Sequence, residues 1–115
     1  MLVVTRFSVQ DAEADAFAEQ AAAALAALAD CPGYRRGTLG RAADDPVEWV
    51  LVTEWDGVGA YRRALSRYAV KVAATPLLAR ARDEASAFEV LRAVSPGGEA
   101  TVRTPDRASA GERDA

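Results

Sequence analysis

The stretch that decides the fold is EWVLVTEWDG, residues 48–57. Its first eight residues are rich in β-branched and aromatic side chains, which favour a strand. Neighbouring side chains of a strand point to opposite faces of a sheet, and here both faces are apolar. They carry Trp49 and Leu51 on one face, and Val50 and Val52 on the other. A strand of this kind needs cover on two sides.

On both sides of this strand, apolar residues recur at every second position in some segments and at every third or fourth position in others. The first spacing predicts strands and the second predicts helices. A helix beginning at Gln10-Asp11 places one apolar face inward, formed by Phe17, Ala21, Ala24, Leu25 and Leu28. Cys31-Pro32-Gly33 ends it. The other predicted elements are strands over 2–9, 34–41 and 85–94, a helix with Asp56 as its N-cap, and a short helix over about 70–81 interrupted near Thr75-Pro76.

The resulting order, βαββαβ, predicts an α+β fold of the ferredoxin-like type with a four-stranded antiparallel sheet and helices on one face. The opposite face is then bare, and a second copy of the sheet is its simplest cover. We therefore expect a homodimer that forms a dimeric α/β barrel. The patch expected at the interface contains Val3, Val50, Val52 and Val90.

Length and composition narrow the class of protein. The 115 residues suit one domain, expected over 1–94, followed by a polar and flexible tail over 95–115. The 14 basic and 17 acidic residues form no long basic block, so nucleic acid is not an expected partner, and Arg62, Arg63 and Arg67 are interpreted as a solvated helix face. Neither a membrane segment nor a secretory signal is expected, and the single Cys31 favours the cytoplasm.

The sequence contains neither histidine nor asparagine. Histidine is the usual general base near neutral pH and the commonest metal ligand, so serine triads, Cys-His pairs and His-ligated zinc or haem are excluded. Any proton transfer has to use other groups, and no metal or cofactor is expected.

The run EWVLVTEWDGVGAYRRA, residues 48–64, resembles the central signature of the antibiotic biosynthesis monooxygenase family. The likeness extends over about residues 2–91 and includes Pro32-Gly33-Tyr34 and the Trp55-Asp56 pair. It implies a dimeric α/β barrel whose pocket lies between sheet and helices. It also implies oxidation of an electron-rich aromatic or polyketide-type substrate, of the anthrone-to-quinone type, by dioxygen without metal or flavin.

The resemblance also suggests site residues. In members that oxidise aromatic polyketides, an asparagine lies four residues before the motif tryptophan, a tyrosine lies six residues after it, and a histidine lies on the second strand. Trp55 and Tyr61 match the tryptophan and the tyrosine and are the expected catalytic residues. The Trp55 indole N–H and the Tyr61 hydroxyl are the expected hydrogen-bond donors to an anionic intermediate. The asparagine position is Leu51 and the histidine position falls at or near Arg41, so these two are the expected substrate-binding residues.

Two other functions stay open because the asparagine and the histidine are replaced. One is a non-catalytic dimeric barrel that binds a small hydrophobic ligand, and the other is a polyketide cyclase. Haem degradation is disfavoured, because haem-degrading relatives have a ligating histidine on the helix where this chain has Ala64 and Leu65.

Overall fold

Four strands form one antiparallel sheet in the order β2-β3-β1-β4, and the helices cover one of its faces. A computed structural model describes residues 1–104 of the chain. The strands are β1 (Leu2–Ser8), β2 (Tyr34–Arg41), β3 (Glu48–Trp55), β4 (Ala87–Phe88), β5 (Arg92–Val94) and β6 (Ala100–Val102). The helices are α1 (Ala14–Ala29), α2 (Val58–Leu65), α3 (Tyr68–Ala73) and α4 (Thr75–Leu78), with a 3-10 turn at Asp11–Glu13 before α1. The predicted ferredoxin-like α+β fold is confirmed.

The core lies between the sheet and the helices. Along β1 and β3 every second residue is buried, in the sets Val3, Thr5, Phe7 and Leu51, Thr53, Trp55. The predicted apolar face of α1 packs on these residues through Phe17, Ala21, Ala24 and Leu28. The small side chains of the two alanines allow the helix to lie close to the sheet. None of the helices in residues 1–104 has the length and apolarity that a membrane crossing requires.

The face of the sheet away from the helices is bare within the described chain. Its centre is formed by the pair Val4 and Val52, with Val50 on the adjacent position of β3. The expected position of Val50 and Val52 on this face is therefore confirmed. The placement of Val3 on this face was wrong, because Val3 opposes Thr53 and is buried under the helices.

Residues 85–94 were predicted to form the fourth strand, and this prediction is wrong because they do not form a single strand. Ala87 and Phe88 pair with β1, but Phe88 already opposes Leu2, so the following residues run past the first residue of β1 and leave the sheet. Val90 therefore lies in a connection and not on the sheet face. The chain then forms β5, which pairs with β6 in a separate two-stranded hairpin.

This hairpin crosses the expected boundary between domain and tail at residue 94. Residues 92–94 pair with 100–102, and all six are exposed. The rest of the predicted tail, residues 105–115, lies outside the described residues.

The helical segment after β3 differs from the prediction at its start. Gly57, not Asp56, occupies the N-cap position of α2, and no side chain caps that helix. The Asp56 carboxylate instead accepts a hydrogen bond from Nε of Arg35 at 2.6 Å. The predicted interruption near Thr75-Pro76 is confirmed, since α3 ends at Ala73 and Pro76 lies in the first turn of α4.

Candidate functional site

A cavity of about 340 Å³ lies at the edge of the sheet, beside β1. It exists because β4 covers only the start of β1, and the segment 79–86 flanks the remainder. Two backbone hydrogen bonds hold this segment in place, from Val4 N to Ser86 O at 2.7 Å and from Arg82 N to Arg6 O at 2.9 Å. The cavity is lined by Val4, Thr5, Arg6, Tyr61, Leu78, Ala79, Ala81, Arg82, Asp83, Glu84 and Ser86.

Tyr61 connects this cavity to an aromatic group in the core. Its ring centroid lies 5.4 Å from that of Trp55, and Tyr34 also packs edge-on against Trp55 at the same centroid distance. Trp55 is only 1% exposed and does not itself line the cavity. The two residues predicted to be catalytic are therefore in contact, with Tyr61 towards the cavity and Trp55 behind it.

The indole N–H of Trp55 has a partner within its own strand. It donates a hydrogen bond of 2.9 Å to the hydroxyl of Thr53, which is buried on the same face of β3. We expected this N–H to be one of the donors to a bound anion. In this structure the hydrogen bond to Thr53 engages it instead, so Trp55 orients Tyr61 by packing.

Burial raises the pKa of Tyr61 above its ordinary value of 10.0, because removal from water disfavours the phenolate. The side chain consequently stays protonated at neutral pH. A protonated phenol in a cavity wall can donate a hydrogen bond to an oxygen that becomes negatively charged during a reaction.

Charged groups of both signs surround the cavity mouth. Nε of Arg6 lies 3.7 Å from a carboxylate oxygen of Glu84, and both side chains are partly exposed. Arg82 donates through Nη2 to the carboxylate of Glu48 and, at 3.1 Å, to the hydroxyl of Ser8. The mouth therefore carries two arginine–carboxylate pairs, Arg6 with Glu84 and Arg82 with Glu48.

The structure does not bring Arg41 and Leu51 into this cavity. Arg41 is exposed at the far end of β2, where its guanidinium lies 5.5 Å from the ring centroid of Trp49. Leu51 is buried in the core between Leu39 and Thr5, its neighbours on the adjacent strands. Of these neighbours, Thr5 is the one that lines the cavity.

Sequence reasoning missed Thr5, Arg82, Asp83 and Glu84. For Thr5 a signal was available, because the alternation of β1 places this polar residue among inward-facing apolar ones, between Val3 and Phe7. The residues of 82–84 follow a short helix in an irregular segment, where no periodicity indicates which side chains meet.

The chain belongs to the antibiotic biosynthesis monooxygenase family, whose family model matches residues 1–75. This match agrees with the fold and with the adjacent tryptophan and tyrosine, and it confirms the resemblance drawn from residues 48–64.

Among solved structures, the chain is similar to SnoaB, a cofactor-independent oxygenase from Streptomyces nogalater, at 33% sequence identity and a TM-score of 0.62. That match covers 78% of this chain and 94% of SnoaB. A single-residue variant of SnoaB matches at 35% identity and a TM-score of 0.61, over 70% of this chain and 81% of the other. A conserved protein from Methanosarcina mazei shares the fold at 16% identity and a TM-score of 0.62, covering 75% of this chain and 84% of that one. Among curated proteins, none matches the chain.

Proposed function

We propose that this protein is a cofactor-independent oxygenase that converts an electron-rich aromatic, of the anthrone type, into a quinone in the cavity beside β1. The observation that carries the proposal is the contact between Tyr61, which lines the cavity, and Trp55 of the family signature. The similarity to SnoaB, itself described as a cofactor-independent oxygenase, supports the same reaction class.

The proposed reaction uses the substrate as the reductant of dioxygen. Loss of a proton from the substrate CH₂ group gives an enolate, which transfers one electron to dioxygen. The resulting radical and superoxide combine through a new C–O bond, and the peroxide takes up a proton. The remaining hydrogen on that carbon then leaves as a proton while the O–O bond breaks and forms the carbonyl. The hydroxide that is expelled takes up a proton, so that one oxygen atom enters the product and the other leaves as water.

The residues at the cavity divide these roles. Asp83 and Glu84 are the carboxylates that line it, and in a chain without histidine they are our candidates for accepting the substrate proton. The protonated hydroxyl of Tyr61 donates to the enolate oxygen, and Arg82 adds positive charge near the developing anion. Trp55 keeps the ring of Tyr61 in place.

The test is oxygen consumption by the purified protein with dithranol as the substrate. Tyr61→Phe should lower kcat/KM by about 10²-fold, the typical cost of removing one donor to a developing oxyanion. Tyr34→Phe is the matched control, because Tyr34 packs on the same tryptophan but does not line the cavity. Glu84→Gln and Asp83→Asn each remove one candidate proton acceptor. The variant that lacks the carboxylate that accepts the substrate proton should turn over more slowly. Oxygen uptake no faster than without protein would refute the proposal.

A second candidate function is ligand binding without turnover. It is favoured by the hydrogen bond from Trp55 to Thr53, which engages a donor that the oxygenase reading expected to act on the substrate. This alternative predicts that dithranol binds, with quenching of tryptophan fluorescence, while no oxygen is consumed. The third candidate is a cyclase. With labelled dioxygen, the quinone made by an oxygenase would contain the label, whereas a ring-closed product of a cyclase would not.

We also propose that the protein acts as a homodimer whose bare sheet faces cover each other. Leu2, Val4, Val50 and Val52 lie on that face and are only half-buried by this chain, and a second sheet would bury them fully. The hairpin formed by β5 and β6 supports the same inference, since Val94 and Val102 are each 61% exposed and isolated two-stranded hairpins are marginally stable in water.

A further inference from the structure

The charges of this protein are separated along the chain. Between Asp56 and Asp83 there are six cationic residues and no acidic one, whereas between Arg6 and Arg35 there are five acidic residues and no cation. The first segment contains α2, α3 and α4, and the second contains α1. The net charge of -3 is therefore unevenly distributed, with an acidic α1 and a basic segment that contains α2, α3 and α4.

Two of the six cations are used inside the fold. Arg80 lies 3.7 Å from a carboxylate oxygen of Glu13, and Arg82 pairs with Glu48. The other four take part in no ion pair within residues 1–104, and all four are exposed. They are Arg62, Arg63, Arg67 and Lys71.

Three of these four cations lie beside exposed apolar residues. Arg63 and Arg67 line one cleft of about 340 Å³ next to Pro32. Arg67 is the N-cap residue of α3 and Lys71 lies in that helix, which also carries Tyr68 and Val72. Tyr68 is 82% and Val72 59% exposed. We call this surface, Arg63, Arg67, Tyr68, Lys71 and Val72, the basic face.

The arrangement is unfavourable for the isolated chain. Arg67 and Lys71 have no carboxylate partner within residues 1–104, and Tyr68 and Val72 leave most of their side-chain surface in water. Arginine and aromatic residues are, by contrast, enriched where proteins contact each other, and an acidic partner would supply the missing carboxylates.

We propose that the basic face is a docking surface for an acidic protein, in which a negatively charged helix lies against α2 and α3. The cations steer the partner and fix its orientation, while Tyr68 and Val72 supply apolar contact. Nucleic acid fits less well, because proteins on duplex DNA commonly neutralise about 6–10 phosphates and the neighbouring α1 is acidic. This proposal is independent of the proposed oxygenase activity.

The experiment measures binding of a fluorescein-labelled helical peptide with a row of glutamates beside a row of leucines. The wild-type protein should bind it, and affinity should fall at least about tenfold between low salt and about 150 mM salt, because the Debye length shortens. The variant Arg67→Glu/Lys71→Glu should bind at least about tenfold more weakly. The control Arg92→Glu/Arg103→Glu changes the net charge equally on residues outside the basic face, and should bind as the wild type does.

Several outcomes would overturn the proposal. Equal binding by the two double variants would show that only net charge matters, and equal binding of a peptide with glutamines for glutamates would remove the charge argument. Tighter binding of a DNA duplex or of phosphatidylglycerol vesicles would assign the face to another partner. Salt-sensitive growth in particle size of the protein alone, lost in Arg67→Glu/Lys71→Glu, would make that partner a second copy. Unchanged circular dichroism and unchanged oxygen consumption with dithranol would show that the double variants are folded.

Discussion

The indole N–H of Trp55 donates to the hydroxyl of Thr53, two residues earlier on the same buried face of β3. The bond is 2.9 Å long, and both residues are at most 3% exposed. The indole N–H of the signature tryptophan therefore has its hydrogen-bond acceptor within β3 and needs none from a ligand. The orientation of Trp55, and with it the ring of Tyr61, is set before any substrate enters.

Replacement of Thr53 by valine should lower the free energy of unfolding by about 1–3 kcal/mol, because the indole N–H then stays buried without an acceptor. Valine has nearly the shape of threonine, so packing changes little. Thr53→Ser retains the hydroxyl and is the control. Urea denaturation checks the prediction, and equal midpoints for the valine variant and the wild type would contradict it.

The raised pKa of Tyr61 makes stability depend on alkaline pH. The unfolded chain releases this proton near pH 10.0, whereas the folded protein keeps it to higher pH. The contribution to stability is therefore complete below pH 10.0 and is lost as pH rises towards the folded pKa. Denaturation at several values between about pH 9 and about pH 11 should show a smaller decline in Tyr61→Phe than in the wild type. Tyr68→Phe alters an exposed ring and should retain the wild-type decline.

Gly33 is required where the chain enters β2. Its φ is +90°, and a Cβ built on it would overlap the Cβ of Ala60 in α2. Gly33→Ala should therefore cost about 3 kcal/mol through backbone strain and overpacking together. Gly57→Ala is the matched control, since its backbone is extended and a Cβ there meets no atom within 4 Å. Similar thermal midpoints for the two variants would argue against this role of Gly33.

A charge on the bare sheet face should disrupt the proposed dimer. Val52→Lys places an ammonium group at the centre of that face, opposite Val4, where burial against a second sheet would be costly. We expect a monomer or an aggregate by light scattering. Ala22→Lys adds the same charge on the exposed side of α1 and should leave the oligomeric state unchanged. A wild-type protein that is monomeric at micromolar concentration would exclude the dimer.

The elements that the sequence predicts best are those whose pattern is set within the element. The alternation along β3 and the apolar face of α1 both follow from local periodicity and both match the structure. The fourth strand failed for a different reason. Its length is set by where β1 begins, which is a property of the partner strand, and residues 85–94 contain no sign of it.

The site divides in the same way. Tyr61 and Trp55 were predicted from the resemblance of residues 48–64 to the family signature, and the short turn between β3 and α2 keeps them close together in the fold. Arg82 and Glu84 reach the cavity through backbone hydrogen bonds of an irregular segment to β1, a tertiary contact that leaves no pattern in the sequence.

The pairing of β1 with β3 also has a consequence for biosynthesis on the ribosome. Val4 pairs with Val52, so 48 further residues have to be synthesised after Val4 before its partner in β3 is made. At about 5–20 residues per second this delay is about 2–10 s, during which an apolar strand with two unpaired edges is exposed to other nascent chains. Arg6, in the middle of LVVTRFSV, places a positive charge within that strand and so opposes its pairing with identical copies until β3 arrives.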